Sequence, residues 1–126
     1  MPKHVPSLPG TEATSLPLSQ VVEANGFVFL AGQVGQAPGG GGAVPGGIEA
    51  ETRQMLDNVG RLLQTVGLDY ADVVKATVYL RDFAEFAQMS AIYREYFPTE
   101  PPTRTTVGVS GLAMDFRIEI EVLAAR

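Results

Sequence analysis

The sequence predicts an α+β fold: a mixed β-sheet with two helices on one face, in the order β-hairpin, helix, strand, helix, strand, strand. Three observations carry this. A tight-turn pair, Asn25-Gly26, sits between two strand-like runs. Two stretches show apolar residues at spacings of three and four. Three further stretches alternate with the period of a strand.

Residues 1–17 are rich in Pro, Ser and Thr and read as an extended arm on a single domain that spans residues 1–126. Ser19–Glu23 and Phe27–Ala31 flank the Asn25-Gly26 pair, where both positions tolerate positive φ, and so form the hairpin. Gly35–Gly47 is dominated by glycine and reads as a flexible surface loop. Its run Gly39–Gly42 lacks a following Gly-Lys-Ser/Thr, and this argues against a phosphate loop.

Ile48–Val66 is the clearest helix. Ile48, Thr52, Met55, Leu56, Val59, Leu62, Leu63 and Val66 make one face, and Gly67 is suited to stop it. Val73–Leu80 is a β-branched strand, with Val74, Ala76, Val78 and Leu80 on one side and Lys75, Thr77 and Tyr79 on the other. Asp82 is expected to open the second helix with Glu85 as its capping-box partner. Phe86, Met89, Ile92, Tyr93 and Phe97 form that helix's apolar stripe, and Pro98, Pro101 and Pro102 end it. Thr103–Val109 and Phe116–Leu123 are the last two strands.

Composition narrows the chemistry. The 126 residues include 14 acidic and 9 basic ones, for a net charge of −5. That balance works against nucleic acid and against an anionic membrane surface. No run of apolar residues is long enough to span a bilayer, and the N-terminus has no apolar core of a signal peptide. A soluble, cytoplasmic protein is expected. There is no cysteine and one histidine, His4. Disulfides, thiolate nucleophiles, cysteine or histidine metal sites and a Ser-His-Asp triad are thereby disfavoured. Carboxylates, arginines, hydroxyls and backbone groups remain, and no metal or cofactor is expected.

Two helices cover one face of the sheet. The other is expected to carry Lys75, Thr77, Tyr79, Arg104, Thr106, Arg117, Glu119 and Glu121. If Val107 and Val109 face the helices, Arg104 and Thr106 point away, and period alone sets Arg104 and Glu119 on the same side. Such a face is either a solvated surface with ion pairs worth about 0–1 kcal/mol each, or it packs against other subunits as a semi-buried polar cleft. In the second case an arginine is a bidentate carboxylate clamp and a glutamate is a base for water.

Several stretches resemble the RidA family, also called YjgF: Ala31-Gly32-Gln33, Gln54–Val59, Asp72–Leu80, Tyr93–Phe97, Pro101–Val107 and Ile118–Glu121. The resemblance covers about residues 15–125. It implies a chorismate-mutase-like homotrimer with clefts between subunits. It implies hydrolysis of reactive enamines and imines, such as 2-aminoacrylate and related 2-imino acids, to a 2-oxo acid and ammonia without a cofactor. By the same resemblance Arg104 anchors the substrate carboxylate and Glu119 positions water, with Gly32 and Thr106 completing the pocket. Leu18, Ala31, Ser90 and Thr106 stand where family members often carry tyrosine, serine, asparagine and cysteine, so the pocket is expected to be less polar. Phe86 is either an apolar pocket wall or helix core. The alternative function is a non-catalytic, trimeric 2-oxo acid-binding regulator. A ribonuclease reading, also attached to the family, conflicts with the acidic charge and the missing histidine pair.

Overall fold

In the computed structural model, residues 3–8 and 16–126 are described, and among them six strands form one sheet under two helices. The strands are β1 (Val21–Ala24), β2 (Phe27–Leu30), β3 (Gln33–Val34), β4 (Val73–Leu80), β5 (Thr103–Gly108) and β6 (Ile118–Ala125). The helices are α1 (Gly47–Gln64) and α2 (Phe86–Tyr96). Sheet order is β1-β2-β6-β4-β5, with β3 also pairing β6. β4 and β5 are parallel and the other pairs are antiparallel. The parallel pair requires a crossover, and α2 supplies it.

The hairpin forms where expected. Asn25 and Gly26 have φ of 53° and 80°, so the turn twists with its strands. β3 is a strand that the sequence pattern does not announce. It pairs with β6 at Ile120 and Glu119, while β2 pairs with the same strand at Leu123–Ala125. Together β2 and β3 make one line of chain beside β6, broken at Ala31-Gly32. The Gly-rich segment is tied to itself rather than free. Gln36 bridges Ala43, Val44 donates its N–H to the Gly35 carbonyl, and Gly42 donates to the Gln36 side chain. The N-terminal arm is partly seen: His4 exchanges both backbone hydrogen bonds with Glu23 on β1. The rest of its run from 9 to 15 lies outside the described residues.

Met55, Leu56, Val59 and Leu63 of α1 and Met89 of α2 have no exposed surface, nor have Val28, Val78, Leu80, Ile118 and Ile120 beneath them. That two-layer contact is the core. A bulge between Val73 and Lys75 alters the expected parity at the start of β4. Val73 is buried and Val74 is 43% exposed, the reverse of what simple alternation assigns. From Ala76 onward the expected faces hold. At the second helix, Asp82 caps a 3-10 turn at Phe83–Glu85 through the Ala84 amide, and α2 proper begins at Phe86. Glu85 does not close a capping box; its carboxylate meets Arg117 at 2.8 Å.

The uncovered face differs from expectation in three residues. Parallel pairing sets Arg104 opposite Ala76 and Thr106 opposite Val78, and residues paired across strands share a face. Ala76 and Val78 are buried under the helices, so Arg104 and Thr106 lie on the helix side. Val107 is turned outward and is 37% exposed. The valines mislead because β5 is an edge strand. Its helix-facing side runs along the flank of α2, where a polar chain still reaches water, so hydrophobicity does not fix its register. Arg117 stands just before β6 and binds Glu51 of α1 and Glu85, again on the helix side. The open face keeps Lys75, Thr77, Tyr79, Glu119 and Glu121 and adds Phe27 and Phe29.

Candidate active site

Arg104 is held by one stripe of α2. Its guanidinium carbon lies 4.7 Å from the Tyr93 ring centroid and 5.3 Å from that of Phe86, and one of its N–H groups donates to the Ser90 hydroxyl at 3.2 Å. Residues 86, 90 and 93 follow the i, i+4, i+7 spacing, so a single helix face presents ring, hydroxyl and ring. The rings attract the cation through their quadrupoles and fix the plane of the fork. Among the described residues no carboxylate pairs with this arginine. A guanidinium has five N–H donors, so donors remain for an incoming acid. Two further hydroxyls nearby are buried without a partner, those of Tyr93 and Thr106. Burial pushes the Tyr93 phenol up to about 12, so it stays a proton donor across the physiological range.

Glu119 occupies the other face. It pairs with Tyr79 on β4 and Val34 on β3. Its carboxylate lies flat against Gly32, at the break between β2 and β3. A Cβ at position 32 would land on Glu119 Oε2, so only glycine admits this approach. Burial, and then the negative charge of Glu121, raise the Glu119 carboxyl above its ordinary value. Glu121 itself accepts the Tyr79 hydroxyl at 2.5 Å. Ala31 is fixed beside Gly32 by its backbone: its N–H donates to Gln20, and its carbonyl accepts from the Gln33 side chain.

The candidate residues thus fall into two groups. Arg104, Ser90, Phe86 and Thr106 are gathered on the helix side. Gly32, Ala31 and Glu119 are gathered on the open side. Leu18 is 47% exposed on the approach to β1, and its backbone N–H turns back to Leu16. The expectation that Arg104 and Glu119 share a side is therefore corrected: β4 separates their strands and the sheet separates their side chains. Phe86 packs against the core and also lies behind the guanidinium. Tyr93, part of the apolar stripe that the sequence predicts, also joins the arginine's cradle, and its three-residue spacing from Ser90 is the signal for it. Among the described residues no three His, Asp or Glu side chains gather as a metal-ligand set.

An α+β domain with an aromatic-cradled arginine on one face and a half-buried glutamate on the other is the class of protein that these features define. A family model described as Endoribonuclease L-PSP matches residues 11–126. A RutC family protein from Pyrococcus horikoshii is 44% identical over 108 residues, covering 86% of each chain. The human protein named 2-iminobutanoate/2-iminopropanoate deaminase is 39% identical over 108 residues, 86% of this chain and 79% of that one. Among solved structures, the YjgF gene product of E. coli superposes with a TM-score of 0.84 at 34% identity, covering 92% of this chain and 93% of that one. Yeast Mmf1 gives a TM-score of 0.89 at 30% identity over 99% of both. The chain belongs to the RidA/YjgF family.

Proposed function

We propose that this protein is a hydrolytic deaminase of reactive enamines and imines, converting 2-imino acids such as those derived from 2-aminoacrylate into 2-oxo acids and ammonia. Relatives named as such deaminases, aligned over most of the chain, support the reaction class. The single observation that carries the site is Arg104, braced by two rings and a hydroxyl with no acid partner of its own. Its geometry is that of a carboxylate-binding fork.

In this reading the substrate's carboxylate docks on Arg104 and presents its C2=N carbon to water. Glu119, as carboxylate, accepts a proton from that water as the C–O bond forms and the imine π pair moves to nitrogen. The same proton then passes to nitrogen. Glu119 then takes the hydroxyl proton of the carbinolamine and delivers it to the nitrogen, so that ammonia leaves as the oxygen lone pair closes the C=O bond. The imine carbon is already electrophilic, so water suffices as nucleophile. Because Arg104 and Glu119 lie on opposite faces of one sheet, the reading requires a second copy of the chain to supply the missing half. A homotrimer with sites between subunits meets that need.

The test is ammonia and 2-oxo acid release from 2-iminobutanoate generated in situ by a pyridoxal-phosphate dehydratase. The expected result is clear acceleration by the protein and its loss in Arg104→Ala, with the solution mass staying near three times 13.4 kDa in both. No acceleration over buffer by the unmodified protein would overturn the reading.

A further inference from the structure

Beside Arg104 the surface opens into a groove of about 440 Å³ along the C-terminal half of α2. Its lining is unusual in charge for an acidic protein. Arg53, Arg81, Arg117 and Arg126 are each committed to an ion pair. Arg61 rests on Asn58. Arg94 and Arg104 have no carboxylate partner among the described residues, and both line this one groove. Glu95, the acid next to Arg94 in sequence, is taken by Arg53 at 2.9 Å.

Pro98, Pro101 and Pro102 also form part of the lining wall. Proline has no N–H, so that part offers no backbone donor. Donors towards the groove are side chains: the two guanidinium groups and the Ser90 hydroxyl. No acid lines it. Arg94 stands one helical turn, about 6 Å of axis, beyond Ser90, the residue against which Arg104 rests. A ligand that satisfies both cations therefore has an anionic group at each end. A monocarboxylate satisfies only one.

We propose that the groove selects dicarboxylic substrates: 2-imino acids with a second carboxylate on the side chain, held by Arg94 while Arg104 holds the first. This rests on the deaminase reading, since it extends the same site along α2. Arg94 is then a substrate-binding residue that discriminates by charge rather than by size.

Titration calorimetry with the 2-oxo acid products tests it. 2-Oxoglutarate and 2-oxopentanoate have the same five-carbon chain and differ by one terminal carboxylate. The diacid is expected to bind roughly five- to tenfold more tightly, as fits one partly exposed charge-assisted contact. Arg94→Gln is expected to erase that difference while leaving the monoacid within about twofold, and Arg94→Lys to restore part of it. Equal affinity for the two acids in the unmodified protein would overturn the proposal, as would an Arg94→Gln variant that weakens both equally. Monoacid binding that Arg104→Ala abolishes, with no premium for the diacid, defeats this inference alone. Failure of both acids to bind also overturns the proposal, while the deaminase reading stands or falls on ammonia release in the assay above.

Discussion

Glu119 is half-buried and faces Glu121, and both features favour its neutral form. In the unfolded chain its carboxyl has its ordinary value near 4.5. The folded state therefore holds the proton to higher pH than the unfolded state does. The stabilising contribution is complete below pH 4.5 and is lost as pH rises through the elevated folded value. Near pH 7 the ionised group costs stability. Glu119→Gln is expected to melt above the parent at pH 7, with the gap closing as pH falls towards 4, as followed by thermal denaturation. In activity, the acid limb of kcat/KM is expected to lie above the usual glutamate range and to move down in Glu121→Gln, which removes one of the two causes. For Arg104 the decisive neighbour is Tyr93. Tyr93→Phe keeps the ring and should leave KM nearly unchanged. Tyr93→Leu loses a cation–π contact of about 1 kcal/mol; KM should rise about fivefold while kcat falls less.

At the scale of elements, one arginine joins three of them. Arg117, just before β6, donates its backbone N–H to Glu51 of α1 at 2.9 Å and its side chain to Glu85 ahead of α2 at 2.8 Å. Glu51 is 3% exposed, and the Arg117 side chain lies 3.4 Å from its carboxylate. Removing one member of a buried pair strands the other, though the partial exposure of Arg117 reduces the cost. Arg117→Ala is expected to lose about 2 kcal/mol in urea denaturation with an unchanged m-value. Elements were the most legible part of the sequence. Val73–Leu80 is one strand end to end, and the Asn25-Gly26 turn falls where its φ demands put it. The failures have physical causes. The bulge at Val73 adds a residue that alternation does not count, and β3 is two residues long with no period to detect. β5 reads T-R-T-T-V-G, and on an edge strand neither Val107 within it nor Val109 just past its end sets the register.

For the whole molecule, the family resemblance supplies candidate residues for the site, but their arrangement is not legible in the sequence. Which side Arg104 takes depends on its pairing with Ala76, a partner far away in sequence that local pattern does not reveal. The two-sided placement makes a quantitative prediction. If each site draws Arg104 from one subunit and Glu119 from another, two inactive variants complement each other. Arg104→Ala and Glu119→Gln, mixed equally and reassembled, are expected to recover about one quarter of the parent activity, because each half is intact at random in half the subunits. Recovery of nothing, with mixed assemblies verified by mass, would place both groups in the same subunit's site.

The sheet also has two rims, at β1 and β5. At the first, His4 lies alongside Glu23 and occupies its amide and carbonyl. An open strand edge is a template on which foreign chains can stack. Clipping the tail before Leu8 by a protease would bare that template, and preparations that lose it are expected to be the first to cloud on storage.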